Sequence, residues 1–298
     1  MASATKSTDL LDPEFIGRLE RLDIVSRRIF AGRMKGERRS KRKGQSVEFA
    51  DYRNYVVGDD LRFLDWNIYG RLERLFIKLF FEEEDLHVSV LVDTSGSMDF
   101  GEPTKLAYAK QLAAALGFVG LVRGDRVKIE TLGPGGGDPP PVLRGRRSLW
   151  RMLEYLENVQ PGGEAPLAQA VKSFCVRNSG KGIVVLISDL MDKSGYEAAL
   201  RYLLAQEMDI YVIHLLSVAE IEPQLQGDLR LVDCEDGDVA EISVSGPLLK
   251  RYRETLAAFI HSARDFCTRR GIVYLAARND LPVEQLITGY LNQRGLLR

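Results

Sequence analysis

Cysteine is scarce: the 298 residues hold three, at positions 175, 234 and 267. The number is odd, the spacing is wide, and no CxxC pair occurs. This rules out a disulfide framework or a cysteine-built zinc site as the organising feature, and a reducing compartment is expected. Histidine is equally rare. His87, His214 and His261 lie far apart, so no histidine metal motif is present. Neither sign of charge is in excess, with 41 Lys and Arg against 42 Asp and Glu, a formal net charge of -1. Global charge therefore argues against a nucleic-acid binder. Residues 1–8 are polar, without the apolar core of a signal peptide, and no run reads as a membrane span. A cytoplasmic protein with no membrane span is the expectation.

What the chain does have is core-forming material. Apolar residues make up 45%, enough for a large domain or two modest ones. From residue 86 onward, strand-like runs alternate with helical patterns. Strands are expected at 87–92, 126–132, 182–188, 209–216 and 272–277. Helices are expected at 105–122, 148–159, 167–177, 196–206, 248–270 and 282–294. Such alternation predicts an α/β fold with a mostly parallel sheet covered on both faces. Two segments break the rhythm: a Gly/Pro-rich loop at 133–141 and a β-hairpin insertion at 229–245, where Asp236-Gly237 supplies a turn. The loop lacks the Lys-Ser/Thr of a phosphate loop, and its prolines block an immediate helix. Cys175 and Cys267 fall at apolar helical spacing and read as core residues.

Residues 1–85 have a different texture and are taken as an N-terminal segment, with 86–298 as the main domain. A helix is expected over 13–30. The run 33–43 holds seven basic residues and one acidic, and 49–81 holds nine of the 25 aromatics. So dense an aromatic segment is expected to pack against the flank of the main domain. The basic run is read as a solvated or acid-paired loop; phosphate contact, and with it a nucleic-acid-binding accessory role, is the alternative. Gly58-Asp59-Asp60 with Arg62 and Asp65 reads as a structural hydrogen-bonded network, with Arg53 able to grip a carboxylate.

The candidate chemistry sits at Asp93-Thr94-Ser95-Gly96-Ser97-Met98, which follows the first strand of the main domain. An aspartate and two serines at alternate positions are small oxygen donors, a set that suits hard cations such as Mg2+, Mn2+ or Ca2+. Ligands of open α/β sheets gather outside the carboxyl ends of the strands. Asp189 ends the strand 182–188. If the two strands are neighbours, Asp93, Ser95, Ser97 and Asp189 form one metal site. A cap or turn former is the bland alternative for each aspartate. A metal-dependent phosphohydrolase with Asp93 as nucleophile is the enzymatic one. Aspartyl phosphotransferases want a second aspartate two residues on, where this chain has Ser95, and no histidine sits near the strand ends as a base. A non-enzymatic module is therefore expected.

The Asp93-x-Ser95-x-Ser97 pattern resembles the metal-ion-dependent adhesion site of von Willebrand factor type A domains. That resemblance implies a doubly wound α/β fold and a Mg2+-type cation completed by a partner's carboxylate. A wider set of residues resembles the bacterial family called domain of unknown function 58: Arg38-Arg39-Ser40, Gly44, Glu48-Phe49, Arg53-x-Tyr55, Gly58-Asp59-Asp60-x-Arg62, Asp65-Trp66 and Lys78-x-Phe80. The 231–233 hairpin segment, the long helix and the terminal strand also fit. Many members have membrane helices, so the resemblance makes this chain a short, soluble form. Such proteins are commonly encoded beside MoxR-type AAA+ ATPases, which implies a protein partner of that kind or its client. In one place the chain departs from the adhesion-site pattern. The usual threonine of a second loop falls on Ala165, whose methyl group cannot ligate a cation. Weak or absent metal binding is expected from that substitution.

Overall fold

The structure, a computed structural model, describes residues 10–24, 49–80, 86–133, 141–162, 166–178, 182–234, 237–293 and 295–297. The chain divides into two compact units: Met1–Gly36 with Leu86–Arg298, and Glu37–Asp85. Residues before Leu86 are thus shared between the two units. Helix α1 (Pro13–Leu19) belongs to the large unit, where Phe15 and Leu19 join its core. Asp12 caps this helix and Pro13 opens it, as helix starts prefer. It ends far short of residue 30. Ile24 forms an isolated bridge with Leu297, a long-range pairing that takes the backbone out of the helix.

In the small unit, β1 (Phe49–Asn54) pairs antiparallel with β2 (Phe76–Phe80), and α2 (Trp66–Leu72) lies between them in sequence. Its charged residues form the expected structural network. Asp65 caps α2 through the amides of Asn67 and Ile68, at 2.9 and 3.1 Å, and pairs with Lys78 at 3.0 Å. Lys78 and the Ile68 amide hold its carboxyl low, at about 2. Arg53 binds Asp59 at 2.8 Å, and Arg62 grips both oxygens of Asp60. The basic run 33–43 lies outside the described residues.

The large unit is built on a six-stranded sheet. Its strands are β3 (His87–Asp93), β4 (Arg126–Leu132), β5 (Val142–Arg144), β6 (Gly182–Ser188), β7 (Met208–Leu216) and, last in the chain, Val273–Arg278. Between β7 and that last strand, β8 (Gly227–Val232) and β9 (Val239–Val244) form a separate antiparallel hairpin, so the last strand is β10. The sheet order is β10-β7-β6-β3-β4-β5, parallel except for β5. Counted within the sheet, this is 3-2-1-4-5-6. Growth reverses between β3 and β6, and the carboxyl ends of those two strands flank the crevice where open α/β sheets hold ligands.

The central strands are apolar on both sides because helices cover both faces. On one face Val88, Val90 and Val92 of β3, with Ile183, Val185 and Ile187 of β6, pack with α3 (Lys105–Arg123) and α4 (Leu149–Asn158). On the other, Leu91, Val184, Leu186 and Val212 meet α5 (Leu167–Arg177), α6 (Glu197–Leu204) and, after the four-residue α7 (Val218–Ile221), the long α8 (Gly246–Thr268). Cys267 is fully buried there, whereas Cys175 is only half-buried. Thr104 caps α3, and Gly124 ends it in the left-handed conformation. By length and composition α3 is apolar enough to cross a membrane, but 78% of its most apolar window is buried within the fold. The C-terminal segment does not form one regular helix: a short turn, Val283–Gln285, runs into a π-helical stretch, Leu286–Leu291.

Candidate metal centre

Parallel pairing of β3 with β6 brings the two predicted carboxylates to one rim. Asp93, the last residue of β3, is 6% exposed. One of its oxygens accepts a hydrogen bond from the Ser95 amide at 3.0 Å, the other from the Ser188 hydroxyl at 2.5 Å. Ser95 and Ser97 are half-exposed, with hydroxyl oxygens 3.0 Å apart. The second loop also arrives here: the Gly162 amide donates to the Thr94 carbonyl at 2.9 Å. Ala165 itself lies outside the described residues. The Asp192 carboxylate accepts from the Leu167 amide at 2.5 Å and so holds the start of α5 beside the same rim.

Asp189 is differently placed. Its Oδ2 accepts from Lys105 Nζ at 2.7 Å, and its Oδ1 from the Met191 amide at 3.1 Å. Lys105 is wholly buried and makes a second ion pair, 2.5 Å long, with Glu220. Burial opposes its charge, but Asp189 and Glu220 outweigh that and lift its pKa above the ordinary value. Glu220 is itself fixed by a reciprocal cap with Ser217 at the start of α7. The residue after Asp189 carries backbone strain: Leu190 is held at φ 58, a left-handed conformation that disfavours a branched side chain. His214 on β7 faces Ser188, sealed in the core with Nδ1 2.6 Å from the Tyr274 hydroxyl. Burial pulls its pKa down to about 4, so it is neutral at physiological pH.

Asp93 has the opposite problem. Burial, and then the charge of Asp189, push its pKa up to about 6. Among the described residues no Lys, Arg or His forms an ion pair with it, so it is a buried charge without a counterion. A half-exposed pair of hydroxyls beside such a carboxylate is a hard-oxygen donor set that fits a hard divalent cation. The described residues contain no group of three His, Cys, Asp or Glu suited to a metal. The fit therefore rests on one carboxylate with hydroxyls and water, not on a side-chain cage.

Sequence reasoning found Asp93, Ser95, Ser97 and Asp189 at one rim but missed Lys105, Ser188, Asp192 and Glu220. The loop that leads into Lys105 is tightly built. Gly101 sits at φ +96, and a Cβ there would lie 2.5 Å from Asn279 Nδ2 and 2.8 Å from Ser217 Cβ. Asn279 in turn donates to the Pro103 carbonyl at 2.5 Å. Gly101→Ala is expected to cost roughly 1–3 kcal/mol of stability from the backbone conformation, with the close approach adding to it. Urea unfolding measures that loss.

Residues 51–262 match the protein family described as "Protein of unknown function DUF58". This chain belongs to that family. Two relatives are an uncharacterised protein of Mycobacterium bovis and another of Mycobacterium tuberculosis. Each is 27% identical over 270 residues, which span 88% of this chain and 84% of the relative. Among solved structures, the conserved hypothetical protein BatB from Bacteroides thetaiotaomicron is 14% identical, with a TM-score of 0.44 over 70% of this chain and 98% of its own. The pilus adhesin SpaC from Lactobacillus rhamnosus GG is 9% identical, with a TM-score of 0.42 over 72% of this chain and 30% of its own. The DUF58 match begins inside β1 and ends inside α8, so it takes in both carboxylates of the rim and Lys105.

Proposed function

We propose that this DUF58 protein is a non-enzymatic interaction module whose rim binds a divalent cation, Mg2+ or alternatively Mn2+ or Ca2+, that an acidic group of a protein partner completes. Asp93 is the charged ligand, Ser95 and Ser97 supply hydroxyls, and Asp189 contributes charge beside them. The observation that carries this is the buried Asp93 carboxylate, which has hydrogen bonds but no counterion among the described residues. Strand order and the Asp-x-Ser-x-Ser spacing support placing the large unit with doubly wound von Willebrand factor type A-like domains, and the loop with their adhesion sites. The partner we favour is a MoxR-type AAA+ ATPase or its client, in the cytoplasm, a choice that rests on family resemblance. The phosphohydrolase alternative has less support: Ser95 stands where a second aspartate is wanted, and His214 is too deeply buried to shuttle protons.

Calorimetric titration with Mn2+ tests this proposal. Wild type is expected to bind one equivalent weakly, and Asp93→Ala to bind none. Equal binding by both proteins would remove the site.

A further inference from the structure

Lys105 is the group at this rim that the proposed function leaves unused. A lysine with no exposed surface is rare unless it is paired, and this one is paired twice, with Asp189 and Glu220. The two carboxylates come from separate elements, Asp189 just after β6 and Glu220 in α7 just after β7, so both lie past the carboxyl ends of parallel strands, where Asp93 ends β3. Asp189 is therefore under two opposed charges: its Oδ2 is held by the internal ammonium, and its charge is felt by Asp93.

We infer that Lys105 sets the cation affinity of the rim by competing for Asp189, keeping that carboxylate from closing on a cation held by Asp93, Ser95 and Ser97. The inference rests on the proposed cation site and deepens it. Asp93, Asp189 and Glu220 bring three negative charges, and Lys105 cancels one. The remaining two are balanced by one divalent cation, so an incoming carboxylate meets no net negative charge. Without the ammonium, Asp189 is free to turn to the cation. The metal is then held more tightly by the chain itself and is less receptive to a partner. Affinity in hard-cation sites follows the number of charged ligands, so the ammonium keeps the site weak and dependent on its partner. Lys105 acts through Asp189 and is a positioning residue.

The test is Mn2+ affinity, measured by electron paramagnetic resonance on the full chain for wild type, Lys105→Met, Lys105→Met/Glu220→Gln and Asp93→Ala. The double variant removes one carboxylate along with the ammonium and keeps the net charge of the cluster, so it remains folded where the single variant is too destabilised. Both Lys105 variants are expected to bind Mn2+ about tenfold more tightly than wild type, because the cation gains a second charged ligand. A lysine with a merely structural role would give the opposite result, since its loss loosens the rim and weakens binding. Affinity that is unchanged or weaker in the folded variants, with wild type binding and Asp93→Ala not, overturns the role of Lys105 and leaves the cation site standing. No Mn2+ bound by wild type overturns both.

Discussion

Lys105→Met is expected to lower stability by about 3–5 kcal/mol, the usual cost of leaving one side of a buried ion pair alone. The methionine is close to the lysine stem in shape, so the packing of α3 changes little. What changes is the fate of Asp189, 1% exposed, and of Glu220, which lose a shared ammonium at 2.7 and 2.5 Å. Neither has a second cation to turn to among the described residues. Asp189 keeps the Met191 amide, and Glu220 keeps the Ser217 amide, but a hydrogen bond to a neutral group does not replace a buried counterion. Urea unfolding at neutral pH in chelator reads the loss directly. Adding Glu220→Gln to Lys105→Met is expected to restore part of it, because one of the two stranded charges is gone. A Lys105→Met protein as stable as wild type would mean that the triad contributes nothing net to folding.

Strand β6 was legible because it is buried on both faces and so reads as an unbroken apolar run, and β4 because apolar and polar residues alternate along it. The expected 126–132 and 182–188 coincide with β4 and β6, and 87–92 falls one residue short of β3. The candidate loop was legible for a different reason: alternate small oxygen donors after a strand form a local pattern, and position at a strand end follows from it. The missing pieces are non-local. Lys105 lies 84 residues from Asp189 and 115 from Glu220, and nothing near it in sequence announces either partner. On a helix apolar on nearly every face, a lysine at the first position reads as a solvated end. The β5 strand was hidden behind a proline run that signals only a loop, and the early end of α1 depends on a bridge between Ile24 and Leu297. Local periodicity carries element type. Which charge meets which is decided by the order of strands in the sheet.

Asp93→Asn in cation-free protein is expected to raise stability at pH 7 by roughly 3 kcal/mol, from a shift of about two pK units at about 1.4 kcal/mol each. The sign follows from which state holds the proton. The Asp93 carboxyl titrates near 6 in the fold against 3.8 ordinarily, so between those values the folded chain keeps a proton that the unfolded chain has released. Stability then falls as pH rises from about 4 to about 6. His214 acts in the same window with the opposite sign. Its pKa is about 4 in the fold against 6.5 ordinarily, so there the unfolded chain binds a proton that the core refuses, and stability rises with pH. The two contributions are of similar size and offset each other, which predicts a flat wild-type profile between about pH 4 and 6.5. Asp93→Asn keeps a carbonyl oxygen for the Ser95 amide but removes the falling contribution, so its profile should climb by roughly 3 kcal/mol across that range. Added Mg2+ should stabilise wild type at pH 7 and leave Asp93→Asn nearly unmoved, because a ligand stabilises only the state that binds it. Chemical denaturation across pH, with chelator and then with Mg2+, reads both effects. Equal stability of the two proteins at pH 7 in chelator would show that Asp93 is not an uncompensated charge, and the case for a cation at this rim would lose its support.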